Sequence, residues 1–295
     1  MMEINHALSA IGDRRGPDFD LKFPPLPKTV AEVSILLAEQ GDVPDTPRLV
    51  ALTHADPVVA TGVLRRINSA YYGMSREVTA VRQAVFLLGF QEVCNLVLTA
   101  AMLELREILA SDEQRDIFHQ IIRESLAAAF YAQELALHWD VPCRNMAFTV
   151  GLLHNVGRLV LLYNSPDEYE ALWQTTETGG APSAEEERCI FGLDHVSLAR
   201  RACQRWNLPP SIGTLLEAYR DPATLEDEAL QPLARILAVS VPAAETLCRR
   251  GPSAPPFEPS FALDPLVAGL PAATEELVAL IAGRRSHAAR YMESI

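Results

Sequence analysis

The chain has 295 residues, of which 49% are hydrophobic, and a formal net charge of -13. This hydrophobic content is ample for one large core or two smaller ones. The negative charge argues against a nucleic-acid backbone or an anionic membrane surface as the main partner, because both require clustered lysine and arginine. We therefore expect a globular protein that binds neither nucleic acid nor membrane.

The cysteines and the N-terminal segment bear on location. Five cysteines lie far apart and form no Cys-x-x-Cys motif, which argues against a disulfide framework or a cysteine zinc site. The first sixteen residues lack the apolar stretch of an export signal, and no run of about eighteen apolar residues free of polar breaks occurs. These patterns favour a cytoplasmic protein.

Helix start signals recur from residue 21 onward, after a segment 1–20 that we expect to be a flexible arm. Thr29 and Glu32 have the spacing of a capping box, in which a threonine side chain begins the helix. Thr46-Pro47 and Asp56-Pro57 each resemble an N-cap followed by proline in the first turn. The sequence thus predicts three helices in this region.

A long helix over residues 112–138 is predicted after the capping box formed by Ser111 and Gln114. Apolar residues flank Glu124 at helical spacings, so its carboxylate is expected either to face inward or to sit at the solvated edge of the apolar stripe. The pattern does not choose between these two positions.

The stretch 151–163 is apolar almost all round and reads as a helix buried among others. Its long polar side chains, His154, Asn155 and Arg158, share one face. A buried polar stripe needs partners, which can be neighbouring side chains, a ligand or a metal. The ordinary interpretation is a core histidine whose hydrogen bonds are satisfied with help from its two neighbours.

The remaining chain continues in helical patterns. Ser183 with Glu186 forms a further capping box, and Asp194 is a cap for the helix that begins at His195. Helices are also predicted over 229–250 and 263–283, with a proline-rich loop between them. Because no strand alternation occurs, the predicted fold class is all-α.

Five motifs along the chain together resemble the HDOD family of bacterial output domains, which are related to HD-type phosphohydrolases. The resemblance covers roughly residues 21–285, and the ordered set is specific although each motif alone is weak. The motifs are Asp56-Pro57-Val58-Val59-Ala60 through Asn68-Ser69-Ala70-Tyr71-Tyr72-Gly73, then Ala84-Val85-Phe86-Leu87-Leu88-Gly89, Gly151 to Leu159, Phe191-Gly192-Leu193-Asp194-His195 and Trp206-Asn207-Leu208-Pro209.

This resemblance implies an all-helical domain of two lobes that serves bacterial signalling. An N-terminal helical lobe, 21–110, would pack on an HD-like helical lobe, 111–290, which contains the closing helices. The related HD enzymes hydrolyse phosphoesters with metals held by a histidine, a His-Asp pair and a distal aspartate. The two lobes would form one HDOD unit.

The present sequence departs from the metal-binding pattern that the resemblance implies. Glu124 stands in the place of the first histidine, and Asn155 replaces the aspartate of the pair formed with His154. The paired histidines often found downstream in the family correspond to Tyr219 and Arg220. Asn155 offers only a neutral carbonyl oxygen, whereas hard divalent ions prefer carboxylates. We therefore expect a degenerate pocket that holds no metal and no cofactor.

Alternatives remain for the polar residues of this pocket. Glu124, His154 and His195 could in principle form a three-ligand zinc site, although the sequence does not fix that geometry. Arg158 could grip a phosphate without a metal, or it could pair with Glu124 as an internal ion pair. The ion pair is favoured, because a buried unpaired charge is costly.

The functional prediction is a non-catalytic signalling module that acts through a protein partner, such as a sensor kinase, a response regulator or a nucleotide-cyclase component. Asn68, Tyr71 and Tyr72 form a turn that could serve as a partner surface, although a structural role is the simpler interpretation. The alternative function is a residual metal-dependent phosphohydrolase, or a nucleotide-binding sensor, that uses the pocket around His154. The sequence names neither the partner nor the oligomeric state.

Overall fold

A computed structural model of the chain describes residues 21–39, 43–176, 180–251, 270 and 274–293. These residues form helices and loops without a strand, so the predicted all-α class is confirmed. The predicted arm, 1–20, and most of the proline-rich loop lie outside the described residues. The helices are α1 (Lys28–Ala38), α2 (Thr46–His54), α3 (Pro57–Ile67), α4 (Val81–Leu88), α5 (Phe90–Leu103), α6 (Asp112–His138), α7 (Ala147–Leu153), α8 (Val156–Asn164), α9 (Pro166–Thr175), α10 (Ala184–Phe191), α11 (His195–Arg205), α12 (Pro210–Ala218), α13 (Gln231–Arg250) and α14 (Thr274–Glu293).

Helix α6 is the longest helix, and most of the second half of the chain packs around it. Its capping box is formed as predicted, with Ser111 accepting from the backbone N–H of Gln114. Helices α7, α13 and α14 all pack along α6, which is buried on several sides. Glu124 lies on this helix with only 5% of its surface exposed, so the inward position is the one adopted.

Helices α1 to α5 form the N-terminal part, in which α5 packs against α1, α3 and α4. Asp56 caps α3 as predicted by accepting from two backbone N–H groups. Two other predicted caps are wrong. Helix α1 begins directly after Pro27, so Thr29 lies inside the helix and is buried, and α2 is capped by Asp45, one residue before Thr46.

The predicted helix over 151–163 is interrupted in its middle. Helix α7 ends at Leu153 and α8 begins at Val156, so that His154 and Asn155 occupy a turn between them. The segment 144–164 is long and apolar enough to span a membrane by composition, with a mean hydropathy of 1.3, but 94% of its apolar window is buried inside the protein. It is therefore a core segment of this fold.

Two glycines set how closely the elements around this turn approach. A Cβ atom on Gly151 would lie 2.4 Å from Ala129 Cα of α6, and one on Gly157 would lie 1.9 Å from the His195 carbonyl oxygen. Both distances are shorter than a non-bonded contact allows. The two close approaches hold the His154 turn against α6 on one side and against the start of α11 on the other.

The last helix, α14, connects the C-terminal end of the chain to the N-terminal part. Tyr291 packs edge-on against Tyr71, and the Arg66 guanidinium lies over the Tyr291 ring with its carbon 4.6 Å from the ring centroid. The predicted closing helix, 263–283, is confirmed over 274–283, where it belongs to α14 (Thr274–Glu293); residues 263–269 and 271–273 lie outside the described part.

Candidate functional site

A cluster of buried polar side chains surrounds the turn between α7 and α8. The turn supplies His154 and Asn155, and the first turns of α8 supply Arg158. Glu187 comes from α10 and His195 from the first residue of α11. All five are less than 5% exposed. We call this cluster the polar pocket; Glu124 lies beside it on α6, and Arg220, just after α12, reaches it from the surface.

Arg158 forms an ion pair with Glu187 at the centre of the polar pocket. Its Nη1 donates to Glu187 Oε1 at 2.8 Å and to the Pro182 carbonyl at 2.7 Å, and its Nε donates to Asn155 Oδ1 at 3.0 Å. The hydroxyl of Tyr169 donates to the same Glu187 oxygen at 3.0 Å. The guanidinium is therefore neutralised and hydrogen-bonded by the protein itself.

The second oxygen of Glu187 holds His195 in one orientation. Oε2 accepts from the His195 backbone N–H at 2.8 Å and from Nδ1 at 2.6 Å. Burial, and then the Arg158 charge, lower the pKa of His195 to about 4 despite the raising effect of Glu187. The ring is thus neutral at pH 7 with its proton on Nδ1, which leaves Nε2 as an acceptor.

The acceptor nitrogen of His195 is covered by an arginine. Arg220 Nη2 lies 3.0 Å from His195 Nε2, where it can donate a hydrogen bond to the ring. The side chain of Arg220 is otherwise at the surface, and its Nε lies 3.5 Å from the hydroxyl of the neighbouring Tyr219. Arg220 therefore covers the one ring nitrogen of His195 that has a lone pair.

His154 is neutral for a similar reason. Its Nδ1 lies 2.7 Å from the Gly151 carbonyl oxygen and donates to it. Burial is the largest cause that lowers the pKa of His154 to about 3, and the charges of Arg158 and Arg220 act in the same direction. His154 is therefore a buried, neutral imidazole whose Nδ1 is hydrogen-bonded, whereas its Nε2 has no hydrogen-bond partner among the described residues.

Glu124 does not form the expected ion pair with Arg158. Arg158 pairs with Glu187 instead, and no carboxylate oxygen of Glu124 lies within 4.0 Å of a cationic group in the described residues. Burial raises the pKa of Glu124 to about 7, although the more distant Arg158 charge and the Asn155 side chain lower it. The carboxyl is therefore close to the polar pocket but outside its ion pair.

Glu187 was missed by sequence reasoning, although a signal for it exists. Ala184, Glu187 and Ile190 are spaced by three residues and lie on the buried face of α10. The run of three glutamates, 185–187, looks like a solvated helix start, and two of the three are indeed exposed. The helical period alone marks Glu187 as the inward member.

The donor set of the polar pocket does not fit a divalent metal. Asn155 offers its carbonyl oxygen to Arg158, and Arg220 covers His195 Nε2. In the described ranges, no group of three or more histidine, cysteine, aspartate or glutamate side chains converges as metal ligands would. The three-ligand zinc site of Glu124, His154 and His195 is thus not assembled.

The candidate partner surface is held by contacts within the chain. The Asn68 side chain donates to the Leu64 and Val78 carbonyls. The Tyr71 hydroxyl lies 2.8 Å from His287 Nε2 of α14, and the Tyr72 hydroxyl donates to Glu92 at 2.5 Å. These contacts give the turn a structural role, and its use by a partner stays a prediction.

Comparison with known proteins gives a family match over most of the chain. The sequence model of the HDOD domain matches residues 23–222. A protein of Treponema pallidum (strain Nichols), named only as uncharacterized, is 26% identical over 196 residues. That match covers 65% of this chain but 37% of the relative, so the chain spans little more than a third of that protein.

Solved structures share the fold at low sequence identity. An HDOD domain protein with unknown function from Geobacter sulfurreducens has a TM-score of 0.72 at 17% identity, with 98% of this chain and 97% of that chain covered. A proposed signal transduction protein from Marinobacter aquaeolei VT8 has a TM-score of 0.69 at 21% identity, with 99% of this chain and 64% of that chain covered. A proposed phosphohydrolase from Shewanella amazonensis SB2B has a TM-score of 0.63 at 23% identity, with 98% of this chain and 97% of that chain covered. These similarities concern the fold alone.

Proposed function

Because this chain belongs to the HDOD domain family, we propose that it is a non-catalytic signalling module that acts by binding a protein partner in the bacterial cytoplasm. Candidate partners are a sensor kinase, a response regulator or a nucleotide-cyclase component. The family is related to the fold of metal-dependent phosphohydrolases, so the question is whether the polar pocket retains that chemistry.

The observation that carries the proposal is the chain of contacts from Arg220 through His195 and Glu187 to Arg158. Each charged or basic atom along this chain faces a partner supplied by the protein. A metal centre requires deprotonated ligands with free lone pairs that converge on one point. Along this chain the lone pairs of His195 and Glu187 are already used, so a metal that took these two residues as ligands would first require the network to break.

The chemistry of Asn155 supports the same proposal. A two-metal hydrolase needs a carboxylate that holds or bridges ions about 4 Å apart. Asn155 supplies a neutral amide oxygen, and this oxygen accepts a hydrogen bond from Arg158. The guanidinium of Arg158 is in turn committed to Glu187, so it is also not free to grip a phosphate as an isolated cation.

Metal content and hydrolysis test the non-catalytic part. We expect protein incubated with zinc or manganese, and then desalted, to carry no stoichiometric metal by elemental analysis. We also expect no metal-dependent hydrolysis of bis-p-nitrophenyl phosphate or of cyclic dinucleotides. Asn155→Asp alone should remain inactive, because Glu124 and Arg220 still occupy ligand positions. About one bound metal per chain, with turnover that disappears in His154→Ala, would establish the alternative phosphohydrolase.

Partner binding is tested separately. Proteins captured by the chain from an extract of its native bacterium are identified by mass spectrometry, purified and mixed with the chain in defined amounts. We expect at least one signalling protein to form a stoichiometric complex on size-exclusion chromatography. If no captured protein binds in purified form, the protein-partner proposal is wrong.

A further inference from the structure

Two adjoining cavities flank the end of α11, on a part of the molecule that the polar pocket does not use. Their volumes are about 490 and 480 Å³, and Gln204 and Asn207 line both of them. The first is otherwise lined by Leu21, Phe23, Arg201 and Arg205, and the second by Arg200, Cys203, Leu208, Pro209, Pro210, Gly213 and Thr214. We call the two together the α11 groove. The two cavities are neighbours that meet at Gln204 and Asn207.

The α11 groove carries positive charge in an acidic protein. Residues 195–216 contain three arginines and no carboxylate, whereas the whole chain has a formal net charge of -13. Arg200 is paired with Glu217. Arg201 and Arg205 are exposed and form no ion pair with the part of the chain that the structure describes. They are four residues apart on one helix, so both guanidinium groups lie on the same face.

The centre of the groove presents amide side chains. Gln204 and Asn207 are exposed, and their side chains form no hydrogen bond with the described residues. An amide side chain offers both donors and an acceptor, which match the C=O and N–H groups of an extended backbone. The second cavity adds an apolar wall at Leu208 and Pro209. The groove thus combines cationic, amide and apolar parts.

The wall opposite α11 is fixed in place by two anchors. The indole N–H of Trp206 donates to the Pro24 carbonyl at 3.0 Å. The side chain of Asn164 bonds to both the N–H and the carbonyl of Lys22. Leu21 and Phe23, which flank Lys22, are therefore held against the first cavity. A preformed groove of this kind loses little conformational freedom on binding.

We propose that the α11 groove binds an extended acidic peptide segment of a partner protein, with an apolar side chain of that segment in the second cavity. Aspartate or glutamate of the segment pairs with Arg201 and Arg205, and its backbone bonds to Gln204 and Asn207. Charge complementarity favours this occupant, because the protein as a whole repels acidic molecules while the groove attracts them. The inference rests on the proposed function, since it names the surface by which a partner is bound.

The test uses a fluorescein-labelled twelve-residue peptide of glutamate, leucine and serine, and a matched peptide with lysine in place of glutamate. Fluorescence anisotropy is measured with the full chain. We expect the acidic peptide alone to bind, and its affinity to fall at least tenfold in the double variant Arg201→Glu, Arg205→Glu. The control variant Arg76→Glu, Arg82→Glu changes two exposed arginines of the N-terminal part and should alter the affinity less than twofold.

Several outcomes would overturn the proposal. Equal binding of both peptides, absence of acidic-peptide binding up to millimolar protein, or equal loss in both double variants would each do so. Displacement of the peptide by inorganic phosphate at micromolar concentration would instead assign the groove to a small anion. Metal-dependent turnover would contradict the proposed non-catalytic function but not peptide binding in the α11 groove. A purified partner that binds the wild type and the Arg201→Glu, Arg205→Glu variant equally would contradict only the proposal for the α11 groove.

Discussion

Glu187 is the residue on which the polar pocket depends, because one carboxylate satisfies groups from three different elements. It accepts from Arg158 of α8, from Tyr169 of α9 and from His195 of α11. Burial alone would raise its pKa, but Arg158 and the hydrogen bonds from His195 lower the pKa of Glu187 below its ordinary value. The carboxylate is therefore charged at neutral pH and fully used.

The first prediction concerns the pair of Arg158 and Glu187. Removing one charge, by Arg158→Met or Glu187→Gln, should lower the free energy of unfolding by about 3 to 5 kcal/mol, because the other charge is left buried without a partner. The double variant should lose less than the sum of the two single losses, with a coupling of about 1 to 3 kcal/mol. Urea unfolding of the four proteins measures this coupling.

Two further double-mutant cycles serve as controls for the coupling between Arg158 and Glu187. The exposed pair of Arg200 and Glu217 should show a coupling below about 1 kcal/mol, because surface ion pairs contribute little. The cycle of Glu124→Gln with Arg158→Met should also give a smaller coupling than the cycle with Glu187. A coupling of Arg158 to Glu124 that exceeds its coupling to Glu187 would contradict the ion pair described above.

The second prediction uses the pKa of Glu124, which burial raises to about 7 from an ordinary value of 4.5. Between these values the folded protein binds more protons than the unfolded chain, so this residue lowers stability as pH rises from 5 to 8. Glu124→Gln removes the titration. Its free energy of unfolding relative to wild type should therefore increase by roughly 2 to 3 kcal/mol between pH 5 and pH 8.

Denaturant unfolding at the two pH values provides the measurement, and Glu113→Gln on the exposed first turn of α6 is the control. The control should show no such change relative to wild type.

His154 and His195 act in the opposite direction, since their lowered pKa values mean that stability is lost as pH falls below about 6.5. A constant difference between Glu124→Gln and wild type would mean that the carboxyl titrates normally.

At the scale of single residues, the sequence predicted contacts between near neighbours in the chain better than contacts between distant residues. The capping residues Asp56, Ser111, Ser183 and Asp194 are confirmed, because a cap bonds to backbone only two or three residues away. The two wrong caps, Thr29 and Thr46, miss the observed cap position by only two residues and one residue. The partner of Arg158 lies 29 residues along the chain. Helical spacing shows that such a residue faces inward, but it does not show which charge from another helix will meet it.

At the scale of elements, the break between α7 and α8 is the main departure from the sequence pattern. Apolar residues keep a helical spacing on both sides of His154 and Asn155 in the stretch 151–163, so this spacing does not predict a turn there. The turn exists in a tertiary setting, because Gly151 and Gly157 on either side of it are pressed against other backbone segments. Such contacts between elements override local propensity.

The third prediction concerns these two glycines. Gly157→Ala would place a methyl group against the His195 backbone, and Gly151→Ala would place one against the Ala129 backbone. Each substitution should lower the free energy of unfolding by about 1 to 3 kcal/mol, because the backbone atoms that the new methyl group meets cannot move aside as the end of a side chain can. Thermal and urea unfolding of the purified variants measure the loss.

Gly283 is the matched control, since it lies in helix α14 and a Cβ there meets nothing within 4 Å. Gly283→Ala should raise the free energy of unfolding by about 0.5 to 1 kcal/mol through helix propensity alone. If all three alanine variants were stabilised alike, the close approaches at the His154 turn would be wrong.

At the scale of the whole molecule, the all-α class and the family were predictable from the sequence. The five ordered motifs fall between residues 56 and 209, and the family match covers 23–222. Helix α14 lies beyond that match, and its docking through Tyr291 onto Tyr71 joins the two ends of the chain. No motif signals this contact, because aromatic packing between distant segments depends on how the intervening helices are arranged.

The closed network of Arg220, His195, Glu187 and Arg158 also sets how many substitutions a metal site in this pocket would require. Asn155→Asp alone would add a carboxylate beside Glu187 and Glu124, with Arg158 already neutralised by Glu187. Arg220→His alone would uncover His195 Nε2 without supplying the other ligands. We therefore expect neither substitution by itself to create a metal site. At least two substitutions would have to occur together, one to add a carboxylate and one to release His195 from Arg220.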